Sequence, residues 1–331
     1  MILRAALSTM WMLNRHKSLG EFFEAAHEIG FDRFELNHFV SQDLVNGTKF
    51  PGDAIRSVHA PCPTDPRTRD AEVSSLDKAE RDLAVEAVTA SISLAERIGA
   101  QAVILHAGFV AVNPESEKEL RVLYNRGHRG SARYADVQTE LMEERARRAE
   151  RHLDATRHAL ERLASTADSA GVRIALENRF FYNEIPQPDE LDLILKEFAG
   201  PVGFWFDTGH AYTLEELGFV HHREWLNGFG THLIGTHLHD VQVVPQDAPP
   251  AKSPLASWAK SPGVVEGGTD QLPDEKRRLR DHLVPGTGIV DFAEIVPSAN
   301  ESLLVTAEID WYHSPEEVKA ALDYLRRVGL S

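Results

Sequence analysis

Five times in this chain, a stretch with helical spacing ends at a glycine and passes at once into a short apolar run that stops on a polar residue. "FFEAAHEIG" leads into "FDRFELNH", "LAERIG" into "AQAVILHAG", "ADSAG" into "VRIALEN", "KEFAG" into "PVGFWFDTGH" and "LNGFG" into "THLIGTHLHD". Glycine is the usual residue just past a helix because it accepts the left-handed backbone without a Cβ penalty. The stretches before it carry the helical period. Ala84, Val88, Ile92, Ala95 and Ile98 fall three or four apart, as do Leu153, Thr156, Leu160, Leu163 and Ala167. Most of the runs after it are continuous rather than alternating, which suits parallel strands buried on both faces.

Eight runs qualify as strands, at 2–7, 33–36, 55–59, 102–106, 172–177, 203–207, 233–237 and 303–308. Helical patterns separate nearly all of them, which predicts an α/β chain folded as one (β/α)8 TIM barrel over residues 1–331 rather than two domains. No Gly-rich dinucleotide loop follows the first run and no Walker-type lysine motif is present, which weakens a doubly wound sheet. Two stretches interrupt the rhythm: 107–137, rich in Gly, Arg and Tyr, and 241–287, rich in Pro and Gly. We expect long loops there, after strands four and seven, leaving from the face where barrel active sites lie.

Composition narrows the partners. The chain is 42% hydrophobic and 26% charged and has no apolar run long enough to cross a bilayer. "MILRAALSTMWML" lacks the basic leader and cleavage site of a secretory signal and reads as a first strand. A single cysteine, Cys62, excludes an intrachain disulfide framework and fits a reducing, cytoplasmic setting. A net charge of −16 disfavours nucleic acid as a partner. The basic "KRRLR" at 276–280 reads as a solvated helix face.

What stands at the ends of these runs is unusual. The third ends at His59, the fourth at His106, the fifth at Glu177, the sixth at Asp207 with His210 nearby, the seventh at His237 and the eighth at Glu308. In a barrel these ends converge on one rim, where crowded carboxylates and imidazoles would repel one another unless a cation sat between them. Oxygen and imidazole donors suit Mn, Co, Fe, Zn or Mg rather than a thiolate-seeking ion. For Asp207 and His210 the alternative is structural: a helix cap and a packed imidazole.

The order and spacing of "LEN", "FDTGHA", "THLHD", "DHLVPGTGIVDF" and "AEID" resemble the xylose isomerase-like TIM barrels, which include sugar isomerases and epimerases, inosose dehydratases and endonuclease IV. The resemblance runs nearly end to end. Its ketose-epimerase branch implies one divalent ion held by Glu177, Asp207, His237 and Glu308, with Glu177 and Glu308 exchanging protons with a sugar or polyol through a metal-stabilised enediolate. That branch gives His210 a substrate-binding role and offers Glu184 as a further substrate contact, while its arginine soon after the seventh strand is replaced by Val243 here. The endonuclease IV branch would use His59, His106, His210 and His282 for additional ions, but Arg280 stands where that pattern has an acid. A second ion on His59, His106 and Glu177 stays open.

The resemblance thus implies a small-molecule isomerase or epimerase of carbohydrate metabolism, with a lyase or dehydratase on a keto-sugar or inosose sharing its first step. A phosphodiesterase on abasic DNA is the less favoured reading. A non-catalytic ligand-binding barrel is disfavoured by the full ligand set. A homodimer is a family expectation. Trp11, Phe109, Phe180 and Trp311 stand near the rim as an apolar wall for a sugar, or as core. His239 and Asp240 read as neighbours that orient the ligands. Gly209 reads as the residue that permits a sharp turn before His210.

Overall fold

The computed structural model of the chain describes residues 3–248 and 278–331. Eight parallel strands close into a barrel: β1 (Ala6–Ser8), β2 (Phe34–Leu36), β3 (Ile55–His59), β4 (Ala102–Leu105), β5 (Arg173–Glu177), β6 (Val202–Asp207), β7 (Leu233–Leu238) and the closing strand, Leu304–Ala307. All eight expected strands are present, shifted by a few residues at most at their ends; residue 2 lies outside the described residues.

Helices α1 (Leu19–Ile29), α2 (Gln42–Asn46) and α3 (Lys78–Ile98) follow the first three strands. Further along are α4 (Pro114–Asn125), α5 (Ala132–Ala170), α6 (Pro188–Glu197), α7 (Thr208–Glu216), α8 (His222–Phe229) and α9 (Pro315–Val328). Gly30, Gly99 and Gly171 take left-handed backbone at the ends of α1, α3 and α5, as the sequence pattern requires. Gly230 does not: its φ is −55°, because the chain runs on into a 3-10 turn, Gly230–His232, before β7.

The 107–137 stretch is mostly helix rather than loop. Asn113 caps α4 and Ser131 caps α5, whose 39 residues reach back to the barrel. The α4–α5 pair stands on an apolar cluster of its own, Leu120, Tyr124, Tyr134, Val137 and Leu217. After β7 the chain forms β8 (Asp240–Val243), which pairs antiparallel with β9 (Leu279–Leu283) outside the barrel; the closing strand is therefore β10. Residues 249–277 of the expected second loop lie outside the described residues. "KRRLR" is not a solvated helix face where it is described. Arg278 is buried, donating to the carbonyls of Asn125 and Ala248, and Leu279–Arg280 belong to β9. No helix among the described residues is long and apolar enough to cross a membrane.

Strand parity sets the layers, apart from an extra residue in β7 at Ile234, where the β6–β7 register shifts. Ala102, Ile104, Ala175, Trp205, Ile234 and Leu304, strand residues only, form a cluster separate from the large shell between strands and helices. Trp205 fills the barrel's axis over Gly235, where a Cβ would lie 2.2 Å from the indole. Two residues beyond Ile104, Ala175, Trp205, Gly235 and Thr306, on the same inward face, come His106, Glu177, Asp207, His237 and Glu308. Apolar packing thus ends one layer below a layer of titratable groups.

Candidate metal centre

The carboxylates of Glu177, Asp207 and Glu308 and the imidazole of His237 converge at the C-terminal mouth, all buried, with one ligand atom of each within 4.8 Å of the others. His237 Nδ1 lies 2.8 Å from Glu177 Oε1, 3.3 Å from Glu308 Oε2 and 3.7 Å from Asp207 Oδ2. Its other nitrogen, Nε2, is 3.0 Å from Glu35 Oε1, and Glu35 in turn accepts from Ser57 Oγ at 2.7 Å. With the Nε2 proton donated to Glu35, Nδ1 is the nitrogen that faces the three carboxylates, and loss of its proton would free a lone pair for an ion there.

Burial would push the Glu177 and Glu308 carboxyls up, but the neighbouring His237 charge overrides it and holds both well below the usual range. Burial likewise opposes charge on His237, yet Glu308, Glu35 and Glu177 raise it well above an ordinary imidazole. The pocket therefore demands positive charge at its centre. Three hard oxygen donors and one imidazole fit a divalent ion there, Mn, Co, Fe, Zn or Mg.

Asp207 is both cap and candidate ligand. Its Oδ1 accepts from His210 N at 2.7 Å and starts α7, while Oδ2 faces His237 and His239. Asn178 brackets it, donating to Asp207 O at 2.9 Å and accepting from Asp207 N at 2.8 Å. His210 Nδ1 bonds Asn178 O at 3.1 Å. Burial holds His210 below the ordinary imidazole range, and its ring lies 5.7 Å from Phe180.

His239 orients Asp207 as expected. It accepts from the backbone N–H of His282 on Nδ1 at 2.8 Å, so Nε2 carries the proton and gives it to Asp207 at 3.0 Å. Both nitrogens are spent, which removes His239 as a ligand even though it lies close to His210 and His282. Gly209 serves this contact rather than a turn: it sits inside α7, and a Cβ there would lie 2.0 Å from His239 Cε1. Asp240 orients no ligand. Its carboxylate accepts from the N–H groups of Val241, Gly286, Thr287, Gly288 and Val290 and pins the 284–290 loop.

His282 stands in left-handed backbone (φ 51°), stacked 4.0 Å over His239, with Nδ1 3.0 Å from Asp281 and Nε2 3.7 Å from Glu308. Burial works against its charge, but Asp281 raises it well above the ordinary range. Arg280 pairs with Gln242 Oε1 at 3.1 Å, outside the cluster, and Val243 pairs with Leu279 in the β8–β9 ribbon.

On the other side, His59 Nε2 and His106 Nε2 lie 3.4 and 2.6 Å from Glu177 Oε2, with their rings 4.3 Å apart. Glu184 meets the site through Arg179, whose Nε donates to it at 3.0 Å. Phe109 is 44% exposed beside Glu184, and Trp311 is half-buried. Trp11 offers no surface to a substrate: it is 1% exposed, and its Nε1 donates to His313 O at 2.9 Å.

Five residues escaped the sequence pattern: Glu35, His38, Asn178, Arg179 and Asp281. Glu35 breaks an apolar strand in "FEL", and His38 follows that strand just as other histidines follow theirs, so both had a signal. Burial, then His59, lowers His38 to about 3, and its ring centroid is 5.0 Å from that of His59. A separate trio, Glu215, His221 and His222, lies between α7 and α8. There His221 Nδ1 accepts from Arg223 N, so its Nε2 is protonated and cannot ligate.

A family profile described as xylose isomerase-like TIM barrel matches residues 23–328. No curated protein matches the chain significantly. Among solved structures, a D-tagatose 3-epimerase-like protein aligns over 98% of this chain and 97% of its own, at 18% identity and a TM-score of 0.58. The 3-keto-D-glucoside 4-epimerase YcjR from E. coli aligns over 98% and 99%, at 13% identity and TM-score 0.60. An IOLI protein with a bound zinc atom aligns over 99% and 98%, at 13% identity and TM-score 0.58.

Proposed function

The chain belongs to the xylose isomerase-like TIM barrel family, and from that premise we propose that it is a divalent-metal-dependent isomerase or epimerase of a sugar or polyol. The observation that carries this is the four-residue cluster: three buried carboxylates and one imidazole whose donor atoms lie within 4.8 Å of one another at the mouth of the barrel. The epimerase names of similar folds agree with it.

Glu177, Asp207, His237 and Glu308 would hold the ion. Bound there, it would supply Lewis-acid polarisation of a substrate carbonyl and the neighbouring hydroxyl. The rest is work for the chain. Glu177 and Glu308 come from strands on opposite sides of His237, so one can take the proton from the carbon beside the carbonyl and the other return it. The carboxylate that takes the proton starts ionised, in line with the lowered range of both carboxyls; the one that returns a proton must first have taken one from solvent. Burial of the cluster keeps water from competing for that proton. His210 and His282 flank the cluster and are positioned to bond substrate hydroxyls. A nuclease is disfavoured by the charge of −16 and by Arg280 in place of an acid.

The test is solvent deuterium incorporation into a panel of ketoses, keto-sugars and inososes. Metal-loaded protein should label at least one of them at carbon next to the carbonyl. Glu308→Gln should lower that rate at least about 100-fold, the scale of one acid–base group, with circular dichroism unchanged. Labelling by none, together with nicking of abasic DNA, would overturn the proposal.

A further inference from the structure

Glu177 presents its two oxygens to two neighbourhoods. Oε1 faces His237 at 2.8 Å and belongs to the four-residue cluster. Oε2 faces His106 Nε2 at 2.6 Å and His59 Nε2 at 3.4 Å. Two imidazoles and a carboxylate oxygen would by themselves invite a further cation, sharing Glu177 with the first.

That space already holds a positive charge. The chain turns back two residues beyond β5 and sends Arg179 into it. The guanidinium meets His106 Nε2 and lies 3.3 Å from Glu177 Oε2, while its Nε is tied to Glu184 Oε1 at 3.0 Å. Glu184 is fixed in turn by the N–H of Phe181 at 2.8 Å. The Arg179 side chain is only 11% exposed, and a guanidinium does not give up its proton to make room for another cation. His106 Nε2 is occupied in either protonation state: with a proton it donates to Glu177, and without one it accepts from Arg179.

Taking the ion at Glu177, Asp207, His237 and Glu308 as given, we infer that Arg179 is the built-in second cation of this centre. It is a positioning residue that neutralises the outer oxygen of Glu177 and excludes a further divalent ion from His59, His106 and Glu177. The centre is mononuclear because of one side chain, although the histidines of a two-ion site are present.

The experiment is metal stoichiometry of the chelator-stripped full chain reloaded with Mn²⁺, read by mass spectrometry and electron paramagnetic resonance. Wild type should take up about one ion with the signal of an isolated centre, and Arg179→Gln about two, with the coupling expected of ions about 4 Å apart. Arg179→Lys, which keeps the charge, should stay with wild type, and adding His106→Ala to Arg179→Gln should return it to one ion. Should Arg179→Gln not fold, His106→Ala alone decides: unchanged content supports the inference, and loss of an ion overturns it. A folded Arg179→Gln that still takes one ion, or a wild type that takes two and loses one on His59→Ala, overturns it as well. A wild type that takes none fails the proposed function itself.

Discussion

Glu35 occupies the middle of a three-residue strand whose neighbours, Phe34 and Leu36, pack outward into the main core. Its inward carboxylate has no access to solvent and spends itself on Ser57 and His237. An acid in that place is costly unless it holds a proton donor in position, and the Nε2–H of His237 is that donor. Truncating it in Glu35→Ala should free the His237 ring to change tautomer and weaken divalent-ion affinity about 10–100-fold. Glu35→Gln, which can still accept from Nε2, should lose less. Competition against a chelating dye measures both; wild-type affinity in a folded Glu35→Ala protein would remove Glu35 from this role. The same residue shows where sequence reasoning stops. Glu177, Asp207, His237 and Glu308 were legible because each ends an apolar run, whereas Glu35 lies within one and needs knowledge of which face of β2 points inward. Arg179 was harder still. Its direction depends on the path of 178–184 and on the Glu184 anchor, which no local pattern encodes.

At the level of elements, α7 is the hinge between fold and site. Its N-cap is Asp207, its first turn carries His210, and the absence of a side chain at Gly209 lets His239 lie flat against it. "FDTGHA" therefore holds a cap and a candidate ligand in the same carboxylate: Oδ1 caps α7, while Oδ2 faces His237. A methyl at Gly209 has nowhere to go: the atoms it meets belong to a ring bonded at both nitrogens. Gly209→Ala should cost about 1–3 kcal/mol by overpacking. By tilting His239 off Asp207 it should also weaken ion binding, although Ala is the better helix former. A denaturation midpoint at or above that of wild type would contradict this. The α4–α5 hairpin teaches the reverse lesson. Leu120 and Tyr124, then Tyr134, Val137 and Leu141, repeat at helical spacing, so the signal was present but hidden among Gly, Arg and Tyr residues that read as loop.

For the molecule as a whole, the barrel was legible because the same unit is written repeatedly, and closure follows once parallel strands accumulate with helices outside. The β8–β9 ribbon was not, since it breaks that unit and is fixed by Asp240 gathering four backbone N–H groups from a distant loop, besides that of Val241. Long-range contacts of this kind also carry the pH response of the fold. Glu72, in the loop after β3, accepts from Phe109 N at 3.3 Å beside Gly108, where any Cβ would strike its carboxylate. Burial pushes this carboxyl up from 4.5 to about 8, with nearby Glu184 adding to the effect. The native state thus holds a proton that the unfolded chain releases near 4.5. The stability from this group is complete below that value and is lost as pH rises toward about 8. Glu72→Gln, which cannot ionise, should be spared that loss. Relative to wild type, the variant should gain about 1–2 kcal/mol between about pH 5 and pH 8.5, allowing for solvent around a half-buried group. Denaturant midpoints of the two proteins at both pH values decide it. If their difference stays constant, Glu72 is ionised throughout and the loop between β3 and α3 is wetter than its contacts imply.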